Sequence, residues 1–140
     1  MKKSLFIISL CLMGSSANAL AENMVSKSPA DAKVYLISPS HGETVPQTFK
    51  VQFGLSGMGV APSGVKREKT GHHHLLIDSK TLPDLTKALS STVKHFGGGQ
   101  TETELTLAPG KHTLQLIMGN YAHIPHNKPV VSKQISITVK

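Results

Sequence analysis

Short runs of alternating apolar residues, separated by turn residues, constrain the fold of this chain more than any other feature. Every second residue is apolar from Phe49 to Leu55, from Leu114 to Met118 and from Ile135 to Val139. A period of two is typical of a β-strand with one buried face, because successive side chains point to opposite sides of the sheet. Beyond the first twenty or so residues, no long stretch has the period of an amphipathic helix. The pattern predicts an all-β domain.

Seven strands, called A to G here, follow from these runs and from the turn residues between them. Residues 82–85 have the composition of a turn, and a short helix as far as Leu89 is one alternative there. Seven short strands in about a hundred residues are typical of an immunoglobulin-like antiparallel β-sandwich. The predicted strands are A 34–37, B 48–55, C 72–78, D 91–94, E 102–107, F 112–118 and G 131–139.

The first residues have the pattern of a signal peptide. Lys2 and Lys3 precede an apolar run from Leu5 to Met13, and residues 17–21 contain two overlapping small-residue cleavage sites. The apolar run is too short to span a membrane as a helix. We therefore expect a soluble exported protein, periplasmic or secreted. Its expected divisions are a signal peptide at 1–21, a flexible lead-in at 22–32 and a single domain at 33–140.

Cysteine usage and charge exclude several classes of protein. Cys11 is the only cysteine and lies in the predicted signal peptide, so the mature chain has no disulfide, thiolate nucleophile or thiolate metal ligand. Removing Lys2 and Lys3 lowers the formal net charge from +7 to +5. The remaining charge is scattered among lysines with few aromatic residues beside them, so nucleic-acid binding is not predicted.

Six of the eight histidines lie in three segments, at residues 71–78, 95–102 and 123–126. In a sandwich whose strands run alternately up and down, loops B–C, D–E and F–G share one end. The three segments fall at or beside these loops and should meet there, provided that strand D exists. His41 and His112 should lie at the opposite end.

Within these segments, the spacing of the histidines favours a shared metal ion. His72 and His74 lie two apart on a strand and project together, whereas His73 points the other way. His123 and His126 are three apart, and His95 can complete the set. Imidazole is the commonest protein metal ligand. The predicted metal ligands are His72, His74, His95, His123 and His126.

An all-imidazole site suits zinc, copper(II) or nickel, and Met58 offers a soft ligand for copper(I). Because metal competes with protons for the ring nitrogens, affinity should fall below the unperturbed histidine pKa of about 6.5. Two other interpretations are a structural network of polar side chains and a site for an anionic or polar ligand. Gly97 to Gly99 can present backbone N–H groups to an anion, and Glu102 can orient an imidazole.

Four motifs carry a resemblance to a known family: GHHHLLID, HFGGGQTE, PGKHTLQL and HIPH. They resemble a bacterial exported family catalogued as domain of unknown function 4399. The resemblance covers roughly residues 33–140. It implies an exported single domain and supplies no activity.

Catalysis is not predicted, because the chain has neither a nucleophile elbow nor a helical His-Glu-x-x-His motif. The sequence favours an exported domain that binds copper or zinc through histidines at one end of the sandwich, for metal handling. The alternative is a periplasmic recognition module, without metal, whose histidine-rich loops contact a protein or envelope ligand.

Overall fold

The computed structural model describes residues 24–140, so the predicted signal peptide lies outside the described residues. The described part of the chain contains no helix, and none of it forms a helix that could span a membrane. Its nine strands are β1 Lys33–Ser38, β2 Thr44–Val45, β3 Thr48–Ser56, β4 Gly59–Val60, β5 Thr70–Ile77, β6 Lys94–His95, β7 Glu102–Thr106, β8 Gly110–Gly119 and β9 Ile135–Val139.

The strands form two sheets. One has the order β1-β3-β7 and is antiparallel throughout. The other has the order β2-β9-β8-β5-β4, with β6 also paired to β5. The predicted strands A, B and E thus form one sheet, and C, F and G form the other. This division is that of an immunoglobulin-like sandwich, and the predicted fold class is confirmed.

The main core lies between the two sheets, where the alternating residues meet. Phe49, Val51 and Phe53 of β3 are buried, as the period of two predicts. The second sheet contributes Leu75 from β5 together with alternate residues of β8 and β9. The core residues supplied by β8 and β9 are Leu114, Leu116, Met118, Ile137 and Val139.

Three predicted elements differ from those in the structure. Predicted strand D, at 91–94, is present only as β6, Lys94–His95, which pairs with β5. Strand G is regular only over Ile135–Val139, because residues 130–132 bond to β8 through irregular contacts. No helix forms at residues 82–89. The short parallel strands β2 and β4 were not predicted, since two residues are too few to show an alternation.

A second apolar cluster covers the outer face of the larger sheet. Leu76 and Ile117 project from β5 and β8 away from the main core and pack with Val93. Leu85 and Leu89 pack against the same cluster. The segment before β6 is thereby held across the outer face of β5, which places β6 beside the histidines of that strand.

The described part of the predicted lead-in at 22–32 is hydrogen-bonded to the loop that follows β8. The Asn120 side chain donates to the carbonyl of Met24, and the backbone N–H of Asn127 donates to the carbonyl of Ser26. The side chain of Asn127 accepts from the N–H of Ser28. The chain from Met24 to Ser28 is therefore part of the folded domain.

Replacing Leu116 with Ala should destabilise the domain by about 2–5 kcal/mol, because its side chain is fully buried and its removal leaves a cavity. Urea unfolding monitored by circular dichroism measures the change. A loss below about 1 kcal/mol would contradict this packing of the core. The exposed Leu82 provides the control, since its replacement with Ala should change stability by no more than about 0.5 kcal/mol.

Candidate metal centre

Two of the three consecutive histidines of β5 face outward from the sandwich. Leu75 points into the main core, so His72 and His74 lie on the opposite face with Leu76. Both imidazoles are almost completely buried. Their rings are neighbours, with centroids 4.7 Å apart. As the sequence predicts, they project together.

The short strand β6 brings His95 to the same face. His74 and His95 are direct cross-strand partners, and their rings are stacked with centroids 5.6 Å apart. His95 is exposed to solvent, unlike the β5 pair. The site is therefore buried where β5 forms it and open to solvent beside His95.

The turn after β8 supplies His123, whose backbone is in the left-handed region with φ of 62°. This conformation is uncommon for a non-glycine residue. It is fixed by the buried Asn120, whose side-chain oxygen accepts from the N–H groups of Ala122 and Ile124. The N–H of Leu89 also donates to the His123 carbonyl. The turn thereby directs the imidazole toward β5.

The ring nitrogens of these residues converge. His72, His95 and His123 each offer one nitrogen, and all three nitrogens lie within 4.8 Å of one another. Nδ1 of His123 lies 3.1 Å from Nε2 of His72 and 3.4 Å from Nε2 of His74. Four of the five predicted ligands thus form a single group, which we call the histidine cluster: His72, His74, His95 and His123.

The fifth predicted ligand, His126, lies beside the cluster. Its Nε2 is 3.1 Å from the carbonyl oxygen of Thr70, to which it is placed to donate, and its Nδ1 is buried without a hydrogen-bond partner. It is not among the three residues whose nitrogens lie within 4.8 Å of one another, and it lacks a contact like the one that joins His74 to His123. In this arrangement His126 fastens the loop after β8 to the start of β5.

Two glycines leave room for the rings of the cluster. A Cβ atom on Gly97 would lie 2.4 Å from Nε2 of His95, and one on Gly119 would lie 2.5 Å from Cε1 of His74. Any larger residue would displace these imidazoles. The requirement for glycine at both positions therefore follows from the close approach of backbone and ring.

Burial favours the neutral form of three imidazoles, those of His72, His74 and His123. Removal from water lowers the pKa of His72 to about 4 and that of His74 to about 3, and the neighbouring histidines lower both further by repulsion between charged rings. The pKa of His123 is also lowered, first by burial and then by His95. A neutral imidazole has a lone pair on one ring nitrogen, which is the form that binds a metal.

Three other residues considered as contributors lie away from the cluster. His73 points into the main core, where its ring lies 5.1 Å from that of Phe53, and burial lowers its pKa to about 4. Met58 packs against the same core. Glu102 does not orient an imidazole, because its carboxylate accepts from Lys50 and Gln52 on the other sheet.

His41 and His112 lie at the opposite end of β8 from the cluster. His112 Nδ1 is 2.7 Å from the Asp78 carboxylate, a contact that raises the pKa of His112. His41 accepts a hydrogen bond from the N–H of Ser136. Their placement agrees with the predicted separation of the histidines into two groups.

Two residues of the site were missed from the sequence. Asn120 shapes the turn that carries His123. The Gly-Asn pair at 119–120 is a turn signal, but it does not indicate which side chain the turn directs toward β5. Ser63 lies with its Oγ 3.3 Å from Nε2 of His123. No pattern marks that serine, because its contact depends on two loops separated by 60 residues.

Two solved structures that are similar to this chain have low sequence identity to it. An endo-beta-1,4-mannanase from Thermotoga petrophila is 15% identical with a TM-score of 0.48; the match covers 79% of this chain and 20% of that one. The fibronectin(III)-like modules of Clostridium thermocellum CbhA are 14% identical with a TM-score of 0.36, over 76% of this chain and 92% of that one. At these values neither similarity assigns a function.

No curated protein matches the chain. A family model described as a domain of unknown function, DUF4399, matches residues 51–140. The matched region contains the whole histidine cluster. It spans more than half of the sequence, and the chain therefore belongs to the DUF4399 family.

Proposed function

We propose that this protein is an exported metal-binding domain that holds a zinc or copper(II) ion in the histidine cluster. Its role would be metal handling or carriage rather than catalysis. The observation that carries the proposal is the convergence of Nδ1 of His123 on the Nε2 atoms of His72 and His74, at 3.1 and 3.4 Å.

These separations match those between ligands of one ion. Imidazole nitrogens lie about 2.0–2.1 Å from zinc, so two nitrogens of a tetrahedral site are about 3.3–3.4 Å apart. A single proton on the His123 nitrogen can be shared with only one of its two neighbours at a time. A cation can attract all of these lone pairs together.

The contact between His123 and Ser63 also favours ligation through Nδ1. When Nε2 of His123 carries the proton, it donates to Oγ of Ser63, and Nδ1 keeps its lone pair. Metal-binding histidines commonly fix their orientation through such a hydrogen bond from the other ring nitrogen.

The composition of the cluster limits the choice of metal. No Cys lies within residues 24–140, and Met58 packs against the core, so the cluster has neither a thiolate nor a thioether among the residues that form it. Imidazole ligands alone suit zinc and copper(II) better than copper(I), which prefers sulfur. The exposed His95 leaves one side of the site open, which fits an ion that is taken up and passed on.

Metal binding by the mature domain, purified without a polyhistidine tag and stripped with EDTA, tests the proposal. Calorimetric titration at pH 7.5 should give a Kd below about 10 μM for zinc or copper(II). At a hundredfold excess of metal over Kd, binding to the native state should add about 2.7 kcal/mol of stability and raise the melting temperature. If neither ion binds this tightly, the metal-free recognition module takes the place of the proposal.

A further inference from the structure

A second site, unrelated to the histidine cluster, lies between the N-terminal stretch and the loop before β5. It is a cavity of about 350 Å³, a volume within the range of small-molecule sites. We call it the cationic cavity. It is lined by Met24, Val25, Ser26, Lys27, Lys66, Arg67, Glu68, Lys69 and Tyr121.

The charge of this cavity is uncompensated. Lys27, Lys66, Arg67 and Lys69 contribute four positive charges against the single carboxylate of Glu68. Within residues 24–140, none of these cations has a carboxylate within 4.0 Å. Four unpaired cations around a concavity create a positive potential that attracts an anion.

The walls of the cavity are fixed by internal hydrogen bonds. The buried Asn120 donates to the Met24 carbonyl at 2.7 Å and to Ser26 Oγ at 3.1 Å, which holds the N-terminal stretch in place. On the other side, the N–H of Gly64 donates to the carbonyl of Tyr121. A ligand would enter a cavity that is already formed, so little entropy is lost in ordering the protein.

The backbone of Lys69 is held in an uncommon conformation at this cavity, with φ of 55°. Its carbonyl accepts from the N–H of Gly59, and the neighbouring Thr70 hydroxyl donates to the carbonyl of Arg67. A left-handed backbone is costly for residues other than Gly, Asn or Asp, and residues in this conformation cluster at functional sites. Here it places Lys69 on the wall of the cavity beside Arg67.

Met24, Val25 and Tyr121 give the cavity an apolar part. Met24 and Val25 are 41% and 37% exposed, which is high for large hydrophobic side chains. The ring of Tyr121 is half-buried, and Nζ of Lys66 lies 5.5 Å from its centroid. The cavity therefore combines cations with an exposed apolar surface.

From this combination we infer that the cationic cavity binds an amphiphilic anion, in which a carboxylate or phosphate head group is joined to an apolar stem. The head group meets Arg67 and the lysines, and the stem lies on Met24, Val25 and Tyr121. Such an anion can be a free small molecule or part of a lipid.

Matched probes test the inference on the full mature domain with EDTA present. Hexyl phosphate should shift the backbone amide resonances of Tyr121 and Lys69 in NMR titrations. It should bind at least about tenfold more tightly than inorganic phosphate or hexanol, because only hexyl phosphate engages both parts of the cavity. Sedimentation with phosphatidylglycerol vesicles, and with phosphatidylcholine vesicles for comparison, distinguishes a lipid source from a free one.

Removing two charges from the cavity should weaken binding of hexyl phosphate, or of phosphatidylglycerol vesicles, at least about tenfold, since each lost hydrogen bond to a charged group contributes to affinity. The variant is Arg67→Gln with Lys69→Asn, because asparagine tolerates the left-handed backbone. Lys27→Gln with Lys66→Gln is a second variant should the first fail to fold. The control, Lys111→Gln with Lys140→Gln, removes the same charge from exposed positions outside the cavity.

The inference is overturned if neither hexyl phosphate nor phosphatidylglycerol vesicles bind. Equal weakening by the control variant would overturn it as well, because it would mean that net charge alone is responsible. Inorganic phosphate binding as tightly as hexyl phosphate would rule out the apolar stem.

Discussion

Acidification from pH 7 to pH 4 should strongly destabilise the metal-free domain. His72 and His73 have pKa values of about 4 and His74 of about 3, all lowered by burial, whereas in the unfolded chain these residues titrate near 6.5. Below pH 6.5 the unfolded state therefore binds more protons than the native state, and stability falls with pH. The stability that these neutral histidines provide is fully present above pH 6.5.

The expected loss is large because several histidines act together. Each histidine that is charged only in the unfolded state costs about 1.4 kcal/mol per pH unit below 6.5. Three of them can remove several kcal/mol by pH 4.5, against a typical domain stability of about 5–15 kcal/mol. Urea unfolding in EDTA at half-unit pH steps measures the slope.

Two variants separate this effect from general acid denaturation. His73→Phe should reduce the slope, since an aromatic ring beside Phe53 keeps the packing and removes one titrating group. His112→Gln should make the fall in stability on acidification slightly steeper, and only between the folded pKa of His112 and pH 6.5, because below pH 6.5 this residue is protonated in both states. The Asp78 carboxylate raises the pKa of His112, so this contact stabilises below pH 6.5 and is lost as pH rises through the folded pKa. A stability that stays level between pH 7 and pH 4.5 would contradict the burial of neutral imidazoles.

Much of the sandwich could be predicted because alternation along a strand directly reports which face is buried. The run from Phe49 to Val51 and Phe53 needs no tertiary information, since each side chain points into the same core. Strand β6 is different. Its two residues form a strand because Leu85, Leu89 and Val93 pack across the outer face of β5, and a two-residue strand has no period.

The site could be predicted only to the level of which segments meet. Counting strands places the three histidine segments together, and the direct pairing of His74 with His95 agrees with this. The distinction between His123 and His126 depends on one turn. Asn120 directs His123 into the cluster, whereas His126 bonds to Thr70, and neither orientation is encoded in the spacing of the two residues.

The pH range in which protons would compete with metal at a buried imidazole cannot be predicted from sequence alone. An unperturbed imidazole loses its lone pair to a proton near pH 6.5. Burial lowers the pKa of His72 and His74 to about 4 and about 3, so protons compete with metal at these two nitrogens only at a lower pH. Burial by distant segments cannot be read from the residues of β5 themselves.

Replacing His72 and His123 together with Ala should abolish tight metal binding and the thermal stabilisation that it provides. These two residues offer a pair of nitrogens 3.1 Å apart, one on the buried strand β5 and one on the loop after β8. Loss of a residue that merely supports a metal ligand typically costs 10–100-fold in affinity, so removing two ligands should exceed about 100-fold. Calorimetric titration with zinc and copper(II) at pH 7.5 measures the change.

The matched control replaces His41 and His112 with Ala, which removes the same number of imidazoles from the opposite end of the sandwich. Metal affinity should then remain within about twofold of that of the unmodified domain, because substitutions this far from the cluster do not couple to it energetically. A single His126→Ala variant separates ligation from support. If His126 only fastens the loop through its bond to Thr70, the metal affinity should fall by at most about 100-fold, the upper limit for a residue that supports a ligand. Equal losses in the two double variants would show that metal binds histidines nonspecifically, and the histidine cluster would then not be a metal centre.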